Sequence, residues 1–238
     1  MDFTKRSEAL ELMDDPMMDA ERYREAYLDI NRCNRLLGGY GITLNALHDL
    51  IKTHPKESYT ILDMGCGDGQ MLRKVAKFLK KREIKHQLIG IDLRDDVLDI
   101  AREKSIDFPE IQFVRQNILE LDDSYDCDIL LCTLTMHHFT DANIHIFTKK
   151  FVSIANIGVI INDLQRSKMA YSLFKLFSLF FIKTDVAKYD GLVSISKGFL
   201  MPDLQEYASK LAEATHHIAW KWAFRYVWIM QPNRPSRL

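Results

Sequence analysis

The sequence predicts a doubly wound α/β fold: a mostly parallel sheet of seven strands with helices on both faces, a helical N-terminal extension and a C-terminal antiparallel hairpin. Three observations carry this. Short apolar runs alternate with helix-patterned segments from residue 59 to residue 161. The first of those runs breaks into a glycine-rich turn that leads straight into a helix. Residues 215–230 are dense in aromatic and β-branched side chains, and Trp220, Trp222, Phe224, Tyr226 and Trp228 share parity, as in strands.

The elements follow in order. Residues 1–55 read as a helical extension. Asp15-Pro16 is a helix start, with Asp as N-cap and Pro where its missing N–H costs nothing. Met17, Tyr23, Tyr27, Ile30 and Leu37 then recur at helical spacing until Gly38-Gly39, and residues 42–51 form a second helix. A core over 56–164 comes next. Its strands are residues 59–62, 87–91, 111–114, 125–132 and 159–161. The fourth contains the unbroken apolar stretch Ile129-Leu130-Leu131-Cys132, as a strand buried on both faces requires. The helix over 70–82 carries Lys77, Lys80, Lys81 and Arg82 in its last turns, where they complement the helix dipole. Asp95-Asp96 and Asp141 open the later helices. Residues 165–201 read as an insertion expected to form a lid over substrate. Residues 202–238 hold a helix opened by Pro202, running to about residue 214, and the terminal strands. No linker divides these parts, so the whole chain, 1–238, reads as one domain.

Composition narrows the function. At roughly 150 residues per domain, 238 residues make one large domain or two small ones. Lys plus Arg number 32 and Asp plus Glu 33, a balance that argues against a general nucleic-acid binder. Cys33, Cys66, Cys127 and Cys132 are irregularly spaced with no CxxC, which predicts free thiols in a reducing, cytoplasmic setting. The charged N-terminus has no apolar signal core. The most apolar run, 171–182, is shorter than the roughly 20 residues that span a bilayer, and Lys175 interrupts it. It reads as a half-buried helix, an interfacial helix at a membrane surface, or a lid over an apolar substrate. Oligomeric state is left open.

The turn Asp63-x-Gly65-x-Gly67-x-Gly69 lies at the strand edge where open α/β sheets bind ligands. Glycine there permits close backbone approach, and the following helix aims unpaired N–H groups at the ligand. A dinucleotide fingerprint would need Gly at position 70, which is Gln70. An acid, Asp92, ends the second strand. Asn117 follows the third. The fourth runs into Cys132-Thr133-Leu134-Thr135-Met136-His137-His138. In these four features the sequence resembles the class I S-adenosylmethionine (SAM)-dependent methyltransferases, and in the His-His pair their quinone-biosynthesis-like, small-molecule branch. The resemblance covers residues 58–164 and implies a Rossmann-like fold. It implies SAM as cofactor and S-adenosylhomocysteine as product. By that resemblance Asp63, Gly65, Cys66, Gly67 and Gly69 cradle the methionine part. Asp92 takes the ribose and Asn117 lies near the adenine, and Leu93, Ile118 and Thr133 are further candidate cofactor contacts. Arg35 is the candidate for the SAM carboxylate.

His137 and His138 are candidate general bases, since a neutral imidazole titrates near pH 6.5. Either can instead pack against the cofactor. Asp163, with Asn162, lies past the fifth strand, either as a carboxylate over the acceptor or as a turn. Tyr171, Phe174 and Tyr189 are candidates for an apolar acceptor pocket. His216-His217 fall in a strand and read as structural. No HExxH-type ligand pattern occurs, so no metal is expected. The expected reaction is methyl transfer to a hydrophobic phenolic, quinone-like or polyketide-like acceptor, at oxygen rather than carbon. Methylation of RNA or protein, and a non-catalytic scaffold or partner subunit, are the alternatives.

Overall fold

The computed structural model describes residues 2–15, 17–121 and 124–233. Its sheet has seven strands in the order β3-β2-β1-β4-β5-β7-β6. These are β1 (Ser58–Met64), β2 (Lys85–Asp92), β3 (Ile111–Arg115), β4 (Cys127–Thr133), β5 (Ala155–Leu164), β6 (Ala214–Lys221) and β7 (Arg225–Pro232). β7 pairs antiparallel with both β5 and β6, so it alone runs against the other six. The strand order reverses between the parallel neighbours β1 and β4, and the crevice above that point is where such sheets take ligands.

One face of the sheet packs on α2 (Gly39–Thr53) and α3 (Gln70–Lys80), through Leu47, Leu50, Leu72 and Val75 against Ile61, Ile129 and Ile160. The other packs on α5 (Asp141–Ile154) and α8 (Met201–Ser209), through Phe147, Phe151 and Leu204 against Leu62, Leu130 and Trp228. α4 (Asp95–Lys104) follows β2. β4 and β5 are buried almost throughout, which explains their unbroken apolar composition.

Several boundaries differ from expectation. The first helix, α1, spans Ala20–Leu36, and Asp19 caps it by accepting from the Arg22 N–H; it does not start at Asp15, and Pro16 lies outside the described residues. Helix α8 stops at Ser209, and Ala214 already belongs to β6, because pairing with β7 overrides its helix propensity. The aromatic parity of 220–228 belongs to two strands and a turn: Trp220 and Trp222 are exposed, whereas Tyr226 and Trp228 are buried. The Trp228 indole N–H donates to His216 Nδ1, the structural role expected there.

The insertion folds as two helices, α6 (Lys168–Phe181) and α7 (Asp185–Lys197). Segment 2–15 is held against them without regular structure beyond one 3-10 turn. Ser7 N–H bonds Ser196 O, the Asp190 carboxylate accepts from the N–H groups of Leu12 and Met13, and Arg6 donates to the carbonyls of Lys197, His137 and Phe139. No helix among the described residues is long and apolar enough to cross a membrane.

Candidate active site

β1 ends in the glycine turn, which is tied to β2 where Gly65 and Cys66 donate backbone N–H groups to Ile91 O. Gly65 and Gly67 take positive φ, and both are crowded. A Cβ on Gly65 would collide with Thr135, and one on Gly67 would lie 2.9 Å from the Tyr27 ring. The cradle therefore exists only because these positions lack side chains. Asp92 closes it by accepting from the Gly67 N–H at 3.0 Å.

A cavity of about 1180 Å³ opens over this edge. Asp63, Gly65, Cys66, Gly67, Asp92, Leu93, Asn117, Ile118 and Thr133 all line it, so the structure gathers the expected cofactor residues in one place. Gly69 stands behind them as the α3 N-cap. Arg35 does not line the cavity. It is exposed one helical step beyond Asn34, which faces inward instead and accepts from Arg225 Nη2 at 2.6 Å. Asn117 also accepts from the Leu119 N–H.

Burial pushes Asp63 up to about 8, and the neighbouring Asp92 carboxylate adds to it. Asp92 is also raised, chiefly by burial. Two acids of this kind favour a ligand that brings positive charge or hydroxyl donors. The Cys66 thiol is pushed well up by burial, which leaves it inert as a nucleophile. All four cysteines are free thiols.

The other end of the cavity is built around His137, in a 3-10 turn after β4. His137 is 3% exposed, and its Nδ1 lies 2.7 Å from Asp163 Oδ1. Its Nε2 is 3.6 Å from Glu11 Oε1. Burial alone would lower its pKa, but Asp163 and Glu11 outweigh that and hold it at about 9. Two buried carboxylates therefore favour the protonated form of His137 over the neutral form that a resting base requires. Asp163 lies within β5, not in a turn, and sits behind His137 rather than over the acceptor space. Asn162, beside it, donates to Gly39 O and Thr43 Oγ1 and fastens β5 to α2.

His138 is exposed and faces the cavity, with Nδ1 3.4 Å from Asp14 and Nε2 3.8 Å from Glu11. Glu11 also accepts from Ser194 Oγ at 3.0 Å and lies 3.6 Å from Lys197 Nζ. Glu11, His137 and His138 place ligand-type atoms within 4.8 Å of one another, a grouping that could hold a metal ion. The Lys197 ammonium, beside both Glu11 and Asp14, already supplies a cation there.

The apolar wall comes from α6. Phe174 and Phe177 line the cavity, and Phe174 is seated over Gly191 of α7. Tyr171 and Tyr189 do not line it: Tyr171 turns away to meet the edge of Phe3, and Tyr189 is 47% exposed. Glu11, Asp14, Asp190, Lys197 and Arg225 were not singled out from sequence, because none lies in a motif.

Residues 61–158 match the family model described as a methyltransferase domain. Solved structures of such enzymes share the architecture beyond that span. The plantazolicin methyltransferase BamL, crystallised with a triazolic desmethylPZN analog and S-adenosylhomocysteine, is 15% identical, with a TM-score of 0.68 over 89% of this chain and 94% of its own. Magnesium protoporphyrin IX methyltransferase (ChlM) from Synechocystis PCC 6803, also with S-adenosylhomocysteine, is 13% identical, with a TM-score of 0.59 over 90% and 94%. The citrinin polyketide synthase CMeT domain is 15% identical, with a TM-score of 0.63 over 82% and 52%. At such identities the likeness shows the shared fold. No curated protein matches the sequence.

Proposed function

We propose that the protein transfers the methyl group of SAM to a hydrophobic small-molecule acceptor, phenolic, quinone-like or polyketide-like, at oxygen in preference to carbon. The observation that carries this reading is the continuity of the cavity. One end is the glycine cradle with Asp63 and Asp92; the other is apolar, under α6, with His137 and His138 in its floor. The crystallised neighbours hold S-adenosylhomocysteine, in line with SAM as the cofactor of this fold.

The residues present fit SAM. Gly65 and Gly67, which line the cavity without side chains, offer backbone to a ligand, and Asp63 offers a buried carboxylate for an ammonium group. Asp92 would take the ribose hydroxyls, and Asn117 with Ile118 would border the adenine. When bound, SAM supplies an electrophilic methyl group on a sulfonium, already a good leaving group. The chain then has to align the acceptor, exclude water and remove a proton. A phenol of pKa about 10 is mostly protonated at neutral pH. The His137 imidazolium favours the ionised acceptor oxygen, and His138 is the base exposed to receive its proton.

Calorimetric titration with SAM, with Asp92→Ala as control, tests the cofactor. Binding lost in the variant is expected; no binding by the wild-type chain would point to the scaffold alternative. A screen of phenols, quinols and polyketide-like acceptors with labelled SAM tests the substrate class. Failure of every apolar acceptor alongside methylation of RNA would overturn it.

A further inference from the structure

We propose that α6 seats the protein on an anionic membrane surface, so that the acceptor reaches the cavity from the lipid. The second half rests on the methyl-transfer reading above; the first does not.

Helix α6 is apolar on both faces. Inward, Ala170 and Ser178 are buried and Phe174 and Phe177 line the cavity. Outward, Met169, Leu173, Leu176 and Phe180 are spaced by four, three and four residues, which aligns them in one stripe. All four are exposed, from 48% for Leu173 to 75% for Phe180, and Leu179 beside them is 68% exposed. A helix on an ordinary protein surface carries polar residues on that side. Leu173 belongs to the stripe and also lines the cavity, so the outer apolar surface runs over the rim into the acceptor space.

Along the helix itself the charge has one sign, the exposed Asp185 coming only after its end. Between Arg166 and Thr184 there is no Asp or Glu, while Lys168, Lys175 and Lys183 are exposed. This is a local feature, since the whole chain carries a formal charge of −1. An exposed apolar stripe with lysines at its margin matches a helix lying in a lipid interface, stems in the acyl region and ammonium groups among anionic headgroups. A second copy of the chain fits less well. Pairing α6 with itself about a two-fold axis would bring Lys168 and Lys175 of both copies together with no acid on the helix to offset them. The turn between β6 and β7 adds Trp222, 66% exposed and on the cavity rim. It is fixed near the start of α6, because Gln165 donates its N–H to Phe224 O and accepts from the Trp220 indole. Tryptophan is favoured at interfacial depth.

The test is co-sedimentation of the full chain with vesicles of equal phosphatidylcholine and phosphatidylglycerol, against phosphatidylcholine alone. Binding to the anionic vesicles that weakens with salt is expected. The double variant Leu176→Glu, Phe180→Glu should abolish it. Lys168→Ala with Lys175→Ala should weaken it by roughly twenty-five-fold, at about a factor of five per lysine. All four positions are exposed, and SAM titration of each variant checks that the fold is kept. Absence of wild-type binding, or equal binding by the Leu176→Glu, Phe180→Glu variant, overturns the proposal. So does a wild-type dimer in light scattering that this variant dissociates. Failure of the wild-type chain to bind SAM would overturn the methyltransferase reading, while the vesicle result would still decide this one.

Discussion

Asp163 accepts twice from one residue: from the backbone N–H of His137 at 3.2 Å and from its ring Nδ1 at 2.7 Å. The end of β5 thereby fixes both the path and the ring of the turn that follows β4. Both residues are buried, so the pair is shielded from solvent and salt.

Asp163→Asn should destabilise the protein by about 3–5 kcal/mol, the usual cost of breaking a buried ion pair from one side. The pH dependence has a definite sign. The folded-state pKa of His137 is about 9 against 6.5 for the model imidazole, so its contribution is complete below 6.5 and is lost as pH rises through 9. Asp163 is lowered from 3.8, so its own contribution is present above that value and is lost as pH falls through its folded-state pKa. Urea unfolding should show the largest gap between wild type and variant from about pH 4 to 6.5, a gap that shrinks from 6.5 to about 9 and is smallest above it. A constant gap across that range would show that His137 is not the imidazolium described.

The raised Asp63 makes cofactor affinity depend on pH. If a bound ammonium requires the ionised carboxylate, binding below pH 8 must release a proton. SAM affinity should rise with pH up to about 8, by at most tenfold per unit. Calorimetry in buffers of different ionisation enthalpy reads the released proton directly. In Asp63→Asn both the proton release and most of the affinity should disappear.

Glu11 touches His137, His138 and Lys197 but lies away from the glycine cradle. Glu11→Gln should therefore reduce turnover with an acceptor by roughly ten- to a hundredfold, the lower range for a misplaced acid–base group. SAM affinity should be unchanged, and the pH–rate profile should shift with the His137 proton. An equal loss of SAM binding would mean that segment 2–15 holds the whole cavity in shape.

Gly67→Ala and Arg35→Ala form a matched pair. The first forces a side chain toward Tyr27 at a positive-φ position and should weaken SAM binding by at least about tenfold, with a stability cost of about 1–2 kcal/mol. The second removes an exposed side chain and should leave affinity and melting temperature unchanged. Thermal shift with and without SAM measures both.

The sheet and the cofactor edge were legible in sequence because their signals are local. The unbroken apolar run of β4 and the glycine–acid spacing from Asp63 to Asp92 each express a constraint within a short stretch. The start of α1 was misread because Asp15-Pro16 satisfies the same capping rule as Asp19, and only the folded chain shows which side chain accepts the Arg22 N–H. The acceptor end was least legible. Glu11, Asp190, Lys197 and Arg225 converge there from distant segments, and no spacing rule connects them. Tyr171 and Tyr189 were expected in the pocket, whereas Phe174 alone of the three reaches it. A helix with apolar residues on both faces does not announce which side turns inward. Asp163 was singled out, but its partner, and hence its role behind His137, required the register of β5 beside β4.

The cavity wall includes Glu11 near one end of the sequence and Arg225 near the other. During synthesis, the glycine cradle can therefore form long before the pocket is complete. β7, which pairs with β5, is made after β6, which does not. Until β7 inserts between them, β5 presents an open edge beside Asp163. Competence for catalysis should thus arrive late and all at once, with closure of the last strand.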